Sequence, residues 1–187
     1  MLTIPVLTSE QLILRPFETA DVALVSRYAA DPAVADRVSR SAIEYQSPEQ
    51  WIDQQHVNFE EANYLTLAIT QRAGGQLLGC ITQTHYEADE HAELDYWIAK
   101  PYWNRGYATE AGRLMLDYTF DCWQLRRVFA CHFATNPASG RVLEKLGFTR
   151  EGVLRQHYCA DNVFEDLVYW GLLRHEWARD RVHRRPV

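Results

Sequence analysis

The sequence predicts a mixed α/β domain, a sheet with flanking helices, and three observations carry that prediction. Helical patterns come early, between Thr19 and Glu61. Two strand pairs, 64–84 and 153–173, are each broken by a turn signal. Between them runs a strand–helix–strand–helix unit. At 187 residues the chain fits one domain, and a chain of that size buries about 70% of its unfolded surface without a metal or disulfide staple. Hydrophobic residues at 47% and charged residues at 24% are ordinary for a globular protein and exclude wholesale disorder.

Gln11-Leu12-Ile13-Leu14-Arg15 reads as a short strand halted by Pro16, and Thr19 or Asp21 can cap the following helix, which runs to about Asp31-Pro32. From Ala33 to Tyr45 the pattern is weak and polar. Ser47-Pro48-Glu49-Gln50 is an N-cap with proline at the first helical position, opening a second helix to about Glu61. Tyr64 to Thr70 alternates apolar and polar residues, Gly74-Gly75 turns the chain, and Leu77 to Thr84 resumes a strand pattern, which together make a hairpin. Ala92 to Ile98 is a fourth strand, closed by Pro101. Ala111, Leu114, Met115, Tyr118 and Cys122 then recur at helical spacing. Val128 to Phe133 is a buried strand, Asn136-Pro137 opens a short helix and Gly147 ends it. Val153 to Tyr158 and Phe164 to Leu173 are two more strands around Asp161-Asn162. From Arg174 the chain is basic and charged, so the domain spans 1–175 and a solvated tail 176–187.

A net charge of −6 argues against a general nucleic-acid binder and favours a basic acceptor. Met1-Leu2-Thr3-Ile4-Pro5 lacks the basic and apolar regions of a signal peptide and no stretch has about 20 apolar residues, which makes a cytoplasmic protein without a membrane span the expectation. Cys80, Cys122, Cys131 and Cys159 are too widely spaced for a metal or redox pair and read as buried thiols.

The informative segment is Tyr102-Trp103-Asn104-Arg105-Gly106-Tyr107-Ala108-Thr109-Glu110-Ala111, which joins a strand to a helix N-terminus. Gly106 permits a backbone closed to residues with a Cβ, and Ala108 is small enough for a ligand to approach the main chain. The N–H groups of Arg105 to Thr109 would then converge on a phosphate, with an ordinary strand-to-helix turn as the alternative reading. A helix terminus supplies only about 0.3–1 kcal/mol per charge, against about 8 kcal/mol for micromolar binding. A long cofactor with a pyrophosphate and an amide-bearing arm makes up the difference by pairing with an open strand edge. Coenzyme A is such a molecule.

This segment resembles the acetyl-CoA-binding motif of the GNAT superfamily of N-acetyltransferases, Q/R-x-x-G-x-G/A after the fourth strand. It takes the form Y-W-x-x-G-Y-A-T-E-A usual in the branch of ribosomal-protein alanine and serine (Rim-type) N-acetyltransferases, with Trp103 in place of the superfamily Gln or Arg. Leu12 to Pro16, Glu151 to Arg155, and Asn136 to Phe148, which is similar to N-x-x-S-x-x-V-L-E-K-L-G-F, fit the same branch. The resemblance implies a predominantly antiparallel central sheet splayed between strands four and five. Acetyl-CoA would lie in that gap as cosubstrate, its pantetheine amides on main chain near Trp97 and Ile98 and its pyrophosphate on Asn104, Arg105, Gly106, Tyr107, Ala108 and Thr109. Asn136 would bond the pantetheine or the acceptor-side backbone and Ser139 would sit near the sulfur, although both also read as helix caps.

Amine acetylation needs a neutral nitrogen, a stabilised oxyanion and a proton for the departing thiolate. Glu93 and Asp95 fall on one face of the fourth strand. Glu93 is the candidate base, directly or through water, and a solvated strand-face carboxylate is the alternative. A main-chain N–H near Trp97 or Ile98 would hold the oxyanion. The tyrosine acid common in relatives is Leu143 here, which leaves Ser139 to hydrogen-bond the thiolate. His85, His91 and His132 could be bases but read as packed or surface histidines, and Trp51, Tyr64, Tyr96, Trp97, Trp103 and Tyr158 could shape an acceptor pocket but read as core aromatics. The resemblance implies an amine acceptor, either a protein N-terminus or a small molecule such as a polyamine, aminoglycoside or amino acid derivative, with a non-catalytic acyl-CoA sensor as a third reading. The cysteine spacing, the net charge and the lack of a long apolar stretch lead us to expect no metal and no nucleic-acid or membrane partner, and homodimers are common among look-alike enzymes.

Overall fold

The computed structural model describes residues 4–29, 31–35, 47–61, 64–160 and 162–184. Most of the weakly patterned stretch after Ala33, and Asp161 of the terminal turn, lie outside the described residues. Among the described residues are eight strands: β1 (Leu7–Thr8), β2 (Leu12–Arg15), β3 (Tyr64–Gln71), β4 (Leu77–Tyr86), β5 (His91–Ile98), β6 (Arg127–Phe133), β7 (Thr149–Ala160) and β8 (Val163–Leu173). They form one sheet in the order β1-β2-β3-β4-β5-β6-β8-β7. All neighbours are antiparallel except β5 and β6, because the helix between those two carries the chain back over the sheet. The helices are α1 (Val22–Ala29), α2 (Pro32–Ala35), α3 (Pro48–Glu61), α4 (Tyr107–Tyr118), α5 (Pro137–Lys145) and α6 (Arg174–Arg184).

Strand alternation sends side chains to two cores. Leu65, Leu67 and Ile69 of β3 join Leu94 and Ile98 of β5 under Ala111, Met115 and Leu116 of α4, Leu143 of α5 and Leu146 just after it. On the opposite face Ala68 and Cys80 meet Phe17, Val25, Trp51 and Ile52, with Trp97 packed against them. Ser47 caps α3 as expected, its Oγ accepting from Gln50 N–H at 3.2 Å. Asp21 acts as an ion-pair anchor: the Arg15 guanidinium donates to its two oxygens at 2.7 and 2.9 Å and Glu18 N–H donates at 2.9 Å.

Two readings change. The segment from Arg174, expected as a solvated tail, is helix α6 through Arg184. Trp177 is 2% exposed, beside Phe120, and donates its indole N–H to Asp117 at 3.1 Å. Arg181 clamps Asp121 at 2.8 Å. One tryptophan among many charges is a weak periodic signal, yet it is enough to dock the helix. Of the four thiols only Cys80 is buried; Cys131 is half-buried and Cys122 and Cys159 are exposed.

Candidate active site

β5 and β6 are joined only at their beginnings. The parallel register runs His91↔Arg127, Ala92↔Val128 and Glu93↔Phe129 and stops, although β5 continues to Ile98 and β6 to Phe133. The strands part from Leu94 on, which is the expected splay. β5 keeps an unbroken register with β4, from Tyr86↔His91 to Gly79↔Ile98, so alternation decides which main-chain groups face the gap. Arg126 N–H reaches Glu90 O at 3.0 Å on the β6 side, while Ala99 N–H reaches Leu78 O at 2.8 Å on the β4 side. Even-numbered residues therefore aim N–H and C=O at the gap, and these are Leu94, Tyr96 and Ile98. The Ile98 carbonyl accepts the Trp103 indole N–H. Trp97, expected beside the pantetheine, turns its main chain toward Cys80 of β4; the gap-facing groups belong to its two neighbours.

At the mouth of the gap the loop before α4 holds a left-handed backbone, with φ of 60° at Asn104 and 84° at Gly106. A Cβ built on Gly106 finds nothing within 4 Å, so backbone conformation and not packing asks for glycine there. The first main-chain bond of α4 joins Glu110 N–H to Gly106 O at 3.0 Å. The N–H groups of Tyr107, Ala108 and Thr109 thus lie outside the helix's own ladder, at its positive end. Tyr107 and Thr109 bury their side chains in the fold, leaving only main chain for a ligand, whereas Asn104 and Arg105 are exposed. Glu110 is the one acid in the first turn of α4. Its carboxylate accepts Ser9 Oγ–H at 2.6 Å, Gln11 N–H at 3.2 Å and Gln11 Nε2–H at 3.1 Å, which draws its charge toward the turn before β2.

Across the gap, Asn136 leads into α5 without spending its side chain on a capping bond, which leaves its amide for a ligand. Ser139 Oγ lies 2.8 Å from Tyr96 Oη, and the Tyr96 hydroxyl also donates to Ser139 O at 3.2 Å. Burial pushes the Tyr96 phenol up, so it stays protonated and able to donate. Reading the sequence missed this pairing of Tyr96 and Ser139. Alternation shows that Tyr96 points away from Glu93, but nothing in the chain order says which α5 residue it meets. Leu143, one helical turn after Ser139 on α5, is fully buried in the core.

On the other face of β5 lie Glu93 and Asp95, opposite Thr84 and Thr82 of β4. Glu93 stands on the last closed rung. Its carboxylate accepts the Tyr86 phenol at 3.2 Å and the Cys131 thiol at 3.9 Å, and burial raises its pKa against those two bonds. Asp95 stands past the point of parting. Its side chain opens onto solvent along the lip while protein surrounds its other sides; that desolvation, and then the charge of Glu93, push it up to about 7. Among the described residues no group of three or more His, Cys, Asp or Glu side chains is placed to hold a metal ion, and no described helix is long and apolar enough to cross a membrane.

A sheet opened between two strands, a row of gap-facing main-chain groups on one lip, a helix N-terminus with N–H groups outside its ladder at the mouth and carboxylates beside it suit one class of protein, one that moves an acyl group from a long anionic thioester. Residues 11–149 match the family model described as "Acetyltransferase (GNAT) domain", well over half of the chain, and the protein belongs to that family of acetyl-CoA-dependent N-acetyltransferases. It is similar to "Putative ribosomal N-acetyltransferase YdaF" of Bacillus subtilis, 35% identical over 108 residues, which are 57% of this chain and 59% of that protein; the chain thus spans just over half of that relative. It is 25% identical to "Spermidine N(1)-acetyltransferase" of Escherichia coli over 95 residues, 51% of this chain and 50% of that one. The crystal structure of the acetyltransferase (GNAT family) from Bacillus anthracis superposes with a TM-score of 0.81 at 25% identity, covering 91% of this chain and 99% of that one.

Proposed function

We propose that the protein acetylates the N-terminal amine of a protein, of the ribosomal-protein type, by direct attack on acetyl-CoA held between β5 and β6. The opened register at Glu93↔Phe129 is the observation that carries the cofactor half of this reading, since it leaves a strand edge that an amide-bearing arm can pair with. Residues 104–109 receive the pyrophosphate, with the main-chain N–H groups of Tyr107, Ala108 and Thr109 and the Arg105 side chain as donors. Leu94, Tyr96 and the Ile98 N–H pair with the arm, the Ile98 carbonyl being held by Trp103, and Asn136 meets it from the other lip. Acetyl-CoA supplies an activated acyl group. Tyr96 N–H, preorganised by the register with β4, faces the thioester oxygen, and Ser139 Oγ, held by the Tyr96 hydroxyl, hydrogen-bonds the departing sulfur.

Direct attack is favoured over an acyl-enzyme because the thiols beside the site are unreactive. Burial pushes both Cys80 and Cys131 up to about 12, so neither is a thiolate at neutral pH. The likeness to YdaF and the Rim-type form of the 102–111 segment support a protein N-terminus as acceptor. A polyamine is the second reading. It is favoured by the aromatic row Tyr86, His91, Phe129 and Tyr169 on the carboxylate face, with neighbouring ring centroids 5.0 to 6.4 Å apart, a surface suited to an extended cation. Thiol release from acetyl-CoA, measured against peptides with N-terminal Ser or Ala and against spermidine, separates the two. Turnover with a peptide supports the first reading and turnover with spermidine alone supports the second. No calorimetric binding of acetyl-CoA removes both.

A further inference from the structure

We propose that Asp95 is the catalytic base that takes the proton of the acceptor ammonium, and that Glu93 is a positioning residue that sets the basicity of Asp95. The inference rests on the reading that an amine is acetylated at the β5–β6 gap. The two carboxylates share a face and lie two residues apart, but the sheet treats them differently. Glu93 is on the last paired rung with β6 and both its oxygens are engaged, one by Tyr86 and one by Cys131. Asp95 comes after the strands have parted, opens to solvent, and makes no hydrogen bond or ion pair among the described residues. It follows Leu94, whose main chain faces the gap, and precedes Tyr96, whose hydroxyl reaches Ser139 across it. An acceptor nitrogen arriving at the thioester from the open face meets the unengaged carboxylate, not the pinned one.

The groups that act on Asp95 reinforce this division. Glu93 on β5, Tyr64 on β3, Cys80 and Tyr86 on β4, Tyr96 beside it and Cys131 on β6 interact with it electrostatically, and all are neutral or acidic. No cation among the described residues offsets them, so the protein packed around its inner sides and then the Glu93 charge push Asp95 up to about 7, where a base can both accept and release a proton. In the step, an ammonium N–H bond breaks and an O–H bond forms on Asp95. The freed lone pair makes the new N–C bond as the C–S bond breaks, the second nitrogen proton passes to the departing sulfur, and Asp95 returns its own proton to water.

The test compares wild type, Asp95→Asn and Glu93→Gln. It reads acetyl-CoA affinity by calorimetry, and kcat/KM against pH with whichever of the Ala peptide and spermidine the wild type acetylates. We expect acetyl-CoA affinity to be unchanged within about three-fold in both variants. Asp95→Asn should lower kcat/KM at least about 10²-fold and abolish the acid limb near pH 7. Glu93→Gln should keep that limb but move it to lower pH, because a negative neighbour has been removed from Asp95. Glu93→Gln losing turnover while Asp95→Asn keeps it overturns the assignment. A Glu93→Gln limb that stays in place overturns the positioning role. Wild type that binds no acetyl-CoA overturns the underlying reading and the assignment with it, whereas binding with full turnover in Asp95→Asn overturns the assignment alone.

Discussion

Single positions around the gap have separable roles. Gly106 has open space around it, so Gly106→Ala introduces no clash. It forces an L side chain into the left-handed region at about 1–2 kcal/mol, or moves the loop to avoid it. Acetyl-CoA affinity should fall about ten-fold in calorimetry while the melting temperature shifts by only a few degrees. Ser139→Ala leaves the cradle intact but removes the hydroxyl that Tyr96 holds at 2.8 Å, so kcat should drop about ten-fold with the acetyl-CoA KM nearly constant. Asp95 also has a signature in stability. A carboxyl raised from 3.8 to about 7 binds its proton more tightly in the folded chain, so folded stability declines as pH rises through that interval. Asp95→Asn removes the decline, and its melting temperature at pH 8 should exceed that of wild type; equal values would mean an ordinary carboxyl.

At the scale of elements, the loop after β5 is braced twice. Trp103 fastens the end of β5 by donating to Ile98 O, and Glu110 fastens the start of α4 to Ser9 and Gln11. Trp103→Phe keeps the ring and loses the N–H, leaving a partly buried carbonyl unpaired at about 1–3 kcal/mol. The expected result is a raised KM for acetyl-CoA with kcat little changed, read from steady-state kinetics. The strand–helix–strand–helix run was legible from periodicity because α4 is amphipathic and β6 is bracketed by turn residues. The two-residue β1 was not, since it is shorter than any period. The gap-facing parity was illegible as well: it depends on the β4 register, which no local pattern records, and which turns the main chain of Trp97 toward β4 and that of Tyr96 toward the gap.

Across the whole molecule, α6 is part of the fold. Trp177 closes the core beneath Phe120 and Asp117, and Trp177→Ala should destabilise by about 3–5 kcal/mol, visible as a lower midpoint in urea. A surface-tail reading expects almost no change. The Arg15–Asp21 pair makes its own demand at the other end of the chain, because removing the partly exposed Arg15 strands the buried Asp21 carboxylate with little solvent.

What the sequence determined by itself was whatever depends on neighbours along the chain: the order of elements, the glycine-bearing turn into α4, the capped start of α3 and the family likeness of residues 102–111. Tertiary structure alone decided what depends on residues far apart in the chain. The sheet opens after Glu93↔Phe129 because β5 stays bound to β4 while β6 follows β8. That parting places the Glu93 and Asp95 carboxylates, two residues apart on one strand, in different surroundings, one pinned by hydrogen bonds and the other left at the open lip. Burial and pairing across the sheet, and not the spacing of residue types, separate their chemistry.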